Sequence, residues 1–161
     1  VGVLRADGEG DVAGADAAPA VLEPQPALSD VPALVAGYRD AGLDVRLRTD
    51  GEPRPLPSGV ELAAFRIIQE ALTNTMKHAG PARAEVRIAY GPDALTVVVA
   101  DDGRGAAFER GPGGHGIAGM RERVTVYDGD LDAGPHPGGG FRVRARLPLE
   151  AMAAAAERVR L

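Results

Sequence analysis

The sequence contains no cysteine and no tryptophan, and aromatic residues make up only 4% of it. The absence of cysteine excludes disulfides and thiolate metal sites. The three histidines, His78, His115 and His136, lie far apart and lack the spacing of a zinc site. Apolar runs fall well short of the ~20 residues that cross a bilayer, and the N-terminus has no signal-peptide pattern. We therefore expect a cytoplasmic domain without direct membrane contact, with a core of Val, Leu, Ile and Ala.

The sequence also has relatively few positively charged residues. The 23 acidic residues outnumber the 18 Lys and Arg residues, which gives a net charge of −5. This balance argues against a nucleic-acid partner, because phosphate backbones need a positive surface. It does not argue against a nucleotide, since backbone N–H groups and a metal ion can hold one small anion. The length of 161 residues fits one domain with additional tail.

The composition divides the chain into an arm, a domain and a tail. Residues 1–27, dominated by Ala, Gly, Asp, Glu and Pro, indicate a flexible linker or the end of an upstream dimerisation region. Folded character begins near Leu28, so the predicted domain covers residues 28–149. The Ala-rich tail, residues 150–161, is expected to continue as a helix.

Hydrophobic periodicity predicts both helices and strands in the domain. Helices are predicted at about 29–41, 59–78 and 117–127, the second of them capped by Ser58. Strands are predicted at about 43–48, 85–89, 95–100, 129–133 and 140–147. Hairpin signals between neighbouring strands imply largely antiparallel pairing. The prediction is therefore an α+β two-layer sandwich with helices on one face of a sheet.

The first segment that suggests chemistry is the long helix, residues 65–79 (FRIIQEALTNTMKHA). Four polar residues of this helix share one face: Glu70, Asn74, Lys77 and His78. A carboxylate and a carboxamide oxygen one turn apart can both reach Mg²⁺, and a Lys beyond them can meet phosphates. The other explanation of these four polar residues is a helix face that is simply exposed to solvent.

The second segment is a hydrophobic strand that ends in residues 101–105 (DDGRG). A carboxylate at a buried strand end can accept a hydrogen bond from an exocyclic amine such as that of adenine. The two glycines of this segment allow the backbone to approach a purine ring and to adopt positive φ. A plain exit from strand to turn explains the same residues, because Asp and Gly are common in turns.

The third segment, residues 113–124 (GGHGIAGMRERV), is a glycine cluster that leads directly into a helix. The helix start offers free N–H groups and a positive dipole end to phosphate oxygens, and the glycines suit a mobile lid. A disordered loop before an ordinary helix would explain the glycines but not their placement. The chain has no G-x-x-x-x-G-K-[ST] motif and no dinucleotide-binding fingerprint.

In their order and spacing, these three segments resemble the GHKL ATPase superfamily, and specifically the catalytic domain of NarL/DesK-type two-component sensor histidine kinases. The final residues 138–148 (GGGFRVRARLP) also fit the last strand of that family. The resemblance covers about residues 28–149 and implies the Bergerat-type fold, with ATP and Mg²⁺ as ligands.

The resemblance also implies roles for single residues. Asn74 would ligate the metal, and Glu70 would lie beside it as a metal-linked or water-positioning carboxylate, so that these two form the catalytic pair. Lys77 and His78 would face the phosphates.

For the base, Asp101 would accept from the adenine amine, with Gly103 and Gly105 beneath the ring. The lid would hold the phosphates through the following residues: Gly114, His115, Gly116 and Ile117.

The implied activity is transfer of the ATP γ-phosphate to a histidine on an upstream dimerisation and phosphoacceptor domain, followed by transfer to a response regulator. None of the three histidines lies in an acceptor-like helix, so we expect the acceptor outside this chain. The parent protein could then be a membrane receptor with this domain in the cytoplasm.

Two other functions remain open at this stage. One is a serine kinase of the anti-sigma-factor type from the same superfamily, against which the GMRER run after the lid argues. The other is an ATP-binding module without catalysis, against which the intact Glu70, Asn74 and Asp101 argue.

Overall fold

The computed structural model describes residues 23–104 and 115–149. Most of the predicted arm and all of the predicted tail lie outside these ranges. The described elements follow the predicted order, and their bounds differ from the predicted bounds by one or two residues. After a short 3₁₀ turn at Leu28–Asp30, the chain forms α1 (Val31–Asp40), β1 (Asp44–Asp50), α2 (Ser58–His78), β2 (Arg83–Tyr90), β3 (Ala94–Asp101), α3 (His115–Thr125), β4 (Asp130–Pro135) and β5 (Phe141–Pro148).

The five strands form one mixed sheet in the order β1-β2-β3-β5-β4. Strands β1 and β2 are parallel, whereas the other three pairs are antiparallel. The β2–β3 connection is the predicted hairpin, closed by a hydrogen bond from Gly91 N to Ala94 O of 3.0 Å. The predicted α+β sandwich with a mostly antiparallel sheet is therefore confirmed.

The core lies between the helices and one face of the sheet. Alternate residues of the strands are buried there, as period-two patterning requires, including Val86, Val97 and Ala145. Helix α2 contributes fully buried apolar side chains such as Ile67 and Leu72. Burying a side chain of this size stabilises the fold by roughly 1.5–3 kcal/mol, so these contacts fix the helix against the sheet.

The predicted cap of α2 is wrong. Ser58 is the first helical residue, and Pro57 occupies the N-cap position with ψ of 135°. Its carbonyl accepts hydrogen bonds from Val60 N at 3.0 Å and Glu61 N at 3.2 Å. A capping side chain must belong to the last non-helical residue, and the helix begins one residue too early for Ser58 to serve. The C-terminal end is as predicted, because Gly80 has φ of +70° just beyond His78.

Candidate functional site

Asp101 is the last residue of β3, and its side chain is buried, with 7% of the residue exposed. Its Oδ1 accepts hydrogen bonds from Gly103 N at 2.9 Å and from Phe141 N at 3.3 Å. Its Oδ2 accepts from the hydroxyl of Thr75 at 3.2 Å. The carboxylate is therefore held from three parts of the fold: the turn after β3, the start of β5 and helix α2.

The turn after β3 packs against the C-terminal end of α2. Arg104 N donates to Ala79 O at 3.2 Å. A Cβ on Gly103 would lie 2.5 Å from the Cβ of Ala79. The prediction of a positive φ at Gly103 is wrong, since its φ lies outside the left-handed region. Glycine is needed here because the turn approaches α2 too closely for a side chain.

Asn74 and Glu70 lie one turn apart on α2, as their spacing predicts. Asn74 is 5% exposed, and its Nδ2 has no hydrogen-bond partner among the described residues. Glu70 is half-buried. Because buried polar groups in native structures are nearly always paired, the unpaired Nδ2 makes Asn74 a candidate ligand contact.

The first turn of α3 meets this part of α2. A Cβ on Gly116 would lie 2.6 Å from Glu70 Oε1 and 3.4 Å from Asn74 Nδ2. The absence of a side chain at Gly116 therefore lets the helix start approach the two polar groups. The structure thus brings Gly116 of the third segment next to Glu70 and Asn74 of the first.

The structure describes some of the remaining predicted site residues and not others. Lys77 is exposed and His78 half-buried, further along α2, and His78 takes part in an interaction with its surroundings. The side chain of Ile117 packs against the hydrophobic core. His115 is the first residue of α3, and nothing is described of its side chain. Gly105 and Gly114 lie outside the described residues.

Sequence reasoning missed two groups that shape the site. The sequence analysis predicts no site role for Thr75, yet its hydroxyl contacts Asp101. Residues 138–148 suggest only the last strand of the domain, yet Phe141 N donates to Asp101 and Gly140 lies against the Asp101 backbone. A hydroxyl directly after Asn74, and a glycine run directly before a strand, are the signals that could have pointed to them.

The donor and acceptor groups fit a purine nucleotide. A buried carboxylate can accept from an exocyclic amine, the unpaired Nδ2 of an amide can donate to a phosphate oxygen, and a helix start can hold an anion. Within residues 23–104 and 115–149, no cluster of three or more His, Asp or Glu side chains could hold a metal ion. Mg²⁺ that is shared with phosphates needs only one or two protein ligands.

Across the described ranges, no helix combines the length and the apolar character that crossing a bilayer requires.

Comparison with known proteins shows the family of this chain. Residues 59–151 match the model of the histidine kinase-, DNA gyrase B-, and HSP90-like ATPases. The signal transduction histidine-protein kinase/phosphatase DegS of Brevibacillus brevis is 36% identical over 67% of this chain and 28% of its own. The sensor histidine kinase LnrJ of Bacillus subtilis is 30% identical over 69% of this chain and 27% of its own. The chain thus spans less than a third of the length of these curated relatives.

Solved structures share the fold. The blue-light activated histidine kinase of Erythrobacter litoralis EL346 superimposes with a TM-score of 0.66 at 20% identity, over 80% of this chain and 43% of that one. The catalytic domain of the histidine kinase ThkA gives a TM-score of 0.62 at 13% identity, over 78% of this chain and 96% of that one. The second match shows that this fold accounts for nearly a whole solved catalytic domain.

Proposed function

The chain belongs to the family of histidine kinase-, DNA gyrase B- and HSP90-like ATPases, as the ATP-binding catalytic domain of a sensor histidine kinase, and we propose that it presents the γ-phosphate of Mg²⁺-bound ATP to a histidine on a dimerisation domain. The observation that carries this proposal is the buried amide of Asn74, whose Nδ2 lacks a partner among the described residues and which lies one turn from Glu70.

Asp101 is the proposed contact for adenine. Its Oδ1 already accepts two backbone N–H groups, which leaves Oδ2 as the oxygen with room for another donor. An exocyclic amine supplies that donor, whereas a carbonyl at the same ring position would face the carboxylate with a second acceptor. The site is therefore proposed to favour adenine over guanine.

Asn74 and Glu70 are the proposed residues for the metal end. When bound, Mg²⁺ supplies charge neutralisation of the phosphates. Asn74 offers its carboxamide oxygen as a ligand, and Glu70 lies beside it as the carboxylate that holds a metal-bound or attacking group in position. Burial of Asn74 fixes its amide, so that its orientation is set before the nucleotide arrives.

The phosphates are proposed to meet Lys77, His78 and the N-terminal turn of α3. The close approach of Gly116 to Glu70 supports this arrangement, because it brings the free N–H groups of the helix start next to the metal end. The predicted lid contacts from Gly114, His115 and Ile117 complete the phosphate end, and Gly105 keeps its predicted place beneath the adenine ring.

In the proposed reaction, a histidine nitrogen forms a bond to the γ-phosphorus while the bond to the bridging oxygen breaks and ADP leaves. The domain contributes position and charge neutralisation, and the nucleophile comes from the dimerisation domain. A response regulator would be the next acceptor, and the reaction would take place in the cytoplasm, where ATP is available.

The stability of the product distinguishes the proposed transfer from the two alternatives. The chain is incubated with γ-labelled ATP and a separately expressed dimerisation and phosphoacceptor helix pair of a sensor histidine kinase. Label on the helix pair that survives alkali but not acid is expected, since a phosphoramidate is acid-labile. Acid-stable label would indicate a serine kinase, and absence of label despite ATP binding would indicate a non-catalytic module. Asn74→Ala serves as the inactive control.

A further inference from the structure

Thr75 occupies a position at the site that the proposed function does not use. It is 2% exposed and directly follows Asn74 on α2. Its Oγ1 lies 3.2 Å from Asp101 Oδ2 and 3.0 Å from the carbonyl oxygen of Ala71, one turn earlier. The hydroxyl therefore lies between the helix backbone and the carboxylate.

The hydrogen bonds of Asp101 differ between its two oxygens. A carboxylate offers about four lone-pair sites, two on each oxygen. The two sites on Oδ1 are taken by Gly103 N and Phe141 N, and one site on Oδ2 is taken by Thr75. From the part of the chain that the structure describes, Oδ2 receives this one hydrogen bond. Its remaining site is the one that an incoming amine can use.

We infer that Thr75 is a positioning residue, which fixes Oδ2 of Asp101 in the orientation that recognises the exocyclic amine of adenine. This inference rests on the proposed binding of ATP, because it assigns a further residue to the same site. It concerns base recognition and not phosphoryl transfer, since Thr75 acts through Asp101.

The local geometry explains how Thr75 can act in this way. A threonine in a helix has a restricted χ1, and its hydroxyl can reach the carbonyl four residues earlier. The restricted χ1 therefore holds Oγ1 at a fixed place on α2, 3.0 Å from Ala71 O, with a single proton to share between that carbonyl and Asp101 Oδ2. A hydrogen bond to an ionised group is stronger than one to a neutral group. The hydroxyl proton of Thr75 therefore favours the Asp101 carboxylate over the carbonyl of Ala71. Rotation of the Asp101 carboxylate about its Cβ–Cγ bond is then restrained by Thr75 on α2 as well as by the backbone N–H groups of Gly103 and Phe141.

The chain offers a matched control on the same helix. Thr73 also has a hydrogen-bonded hydroxyl, 2.6 Å from the hydroxyl of Tyr38 on α1. Replacing it with valine removes the same atom from the same helix without touching Asp101. Any effect of losing a helix hydroxyl in general will therefore appear in Thr73→Val.

The test measures affinity for ATP and for purine riboside triphosphate, which lacks the 6-amino group, by calorimetry with Mg²⁺. Thr75→Val is expected to weaken ATP binding by about tenfold, as for loss of a hydrogen bond to a charged group. Binding of the amine-free nucleotide is expected to change by less than about twofold, because it makes no use of Oδ2. Thr75→Ser, which retains the hydroxyl, should bind ATP like the wild type.

Thr75→Ala is a second variant without the hydroxyl, and it must show the same selective loss even if Thr75→Val fails to fold. Equal weakening of both nucleotides, or unchanged ATP affinity in a folded hydroxyl-free variant, would overturn the inference. Failure of the wild type to bind ATP is a different result: it overturns the proposed function, and the inference with it.

Discussion

Among the single residues, Asp101 carries the most specific chemistry, because each of its oxygens has a defined set of neighbours. Two backbone N–H groups hold Oδ1, and Thr75 holds Oδ2. Asparagine at this position can keep its oxygen on the backbone side and place its NH₂ toward Thr75, whose hydroxyl can accept. The fold would then be retained while the ligand-facing acceptor becomes a donor.

Asp101→Asn is therefore expected to lose ATP affinity by about tenfold or more, with little change in the melting temperature. Calorimetry and thermal unfolding of the same samples check both parts. The neighbouring Asp102→Asn is the matched control, since Asp102 is exposed and its Oδ1 accepts from Arg83 N at 2.7 Å. An equal loss of ATP affinity in the two variants would contradict the role of Asp101 as the adenine contact.

The sequence predicts site roles for Asp101, Asn74 and Glu70, because each of their motifs places polar groups at a fixed position within one element. It did not identify Thr75 or Gly140, because their importance arises from contacts between elements distant in the chain. Thr75 and Asp101 are 26 residues apart, and Phe141 and Asp101 are 40 apart. Local periodicity carries no information about such contacts.

Among the helices and strands, the connection between β4 and β5 has a role beyond joining two strands. Gly138, Gly139 and Gly140 all have positive φ, between +86° and +108°. A Cβ on Gly140 would collide with the backbone of Asp101, whereas a Cβ on Gly138 would meet nothing within 4 Å. The turn is therefore packed against the strand end that carries the proposed adenine contact.

These two glycines give a paired prediction. Gly138→Ala is expected to cost roughly 1–2 kcal/mol of unfolding free energy, from the backbone conformation alone. Gly140→Ala has the same conformational cost and must also displace the β3 end, so it is expected to cost about 3 kcal/mol or more. Urea unfolding measures both. Equal costs would show that the close approach at Gly140 contributes nothing.

The pairing of β1 with β2 is reinforced by charge at the end of β1. Asp50 contacts the guanidinium of Arg87 on β2 and that of Arg48 at 2.9 Å. The hydrogen bond from Arg87, the largest influence, lowers the pKa of Asp50 below 3.8, while desolvation opposes the shift and Arg48 reinforces it. A carboxylate with a lowered pKa in the folded state stabilises the fold at neutral pH, and this contribution disappears in acid.

Asp50→Asn is accordingly expected to lower the urea midpoint slightly at neutral pH, as for an exposed ion pair. The difference from the wild type should shrink as the pH falls below 3.8 and vanish once Asp50 is protonated in both states. In an Arg87→Gln background the same substitution should have a smaller effect. A difference that is independent of pH would rule out the ion pair as its cause.

The helices and strands themselves were largely predictable, because alternation in the strands and the apolar stripe of α2 follow directly from burial on one face. Two details were not. The start of α2 depends on Pro57 having an extended backbone, and Gly103 depends on the close approach of Ala79. Both are set by the path of the chain between elements, which composition does not determine.

For the molecule as a whole, the sheet order β1-β2-β3-β5-β4 places the ends of β3 and the start of β5 beside the C-terminal half of α2. This arrangement lets an acidic protein, with a net charge of −5, offer a site for an anionic nucleotide. In the proposed arrangement, the phosphate charge is met locally by the start of α3, by Lys77 and by the metal held at Asn74.

The central claim is that this chain holds ATP at Asp101 and its metal at Asn74. Calorimetric titration of the intact chain with ATP, with and without Mg²⁺, tests it most directly, with Asn74→Ala measured alongside. We predict saturable binding by the wild type that strengthens with Mg²⁺, and binding by Asn74→Ala that no longer depends on Mg²⁺. Absence of saturable binding by the wild type, or an undiminished Mg²⁺ dependence in Asn74→Ala, would contradict the claim.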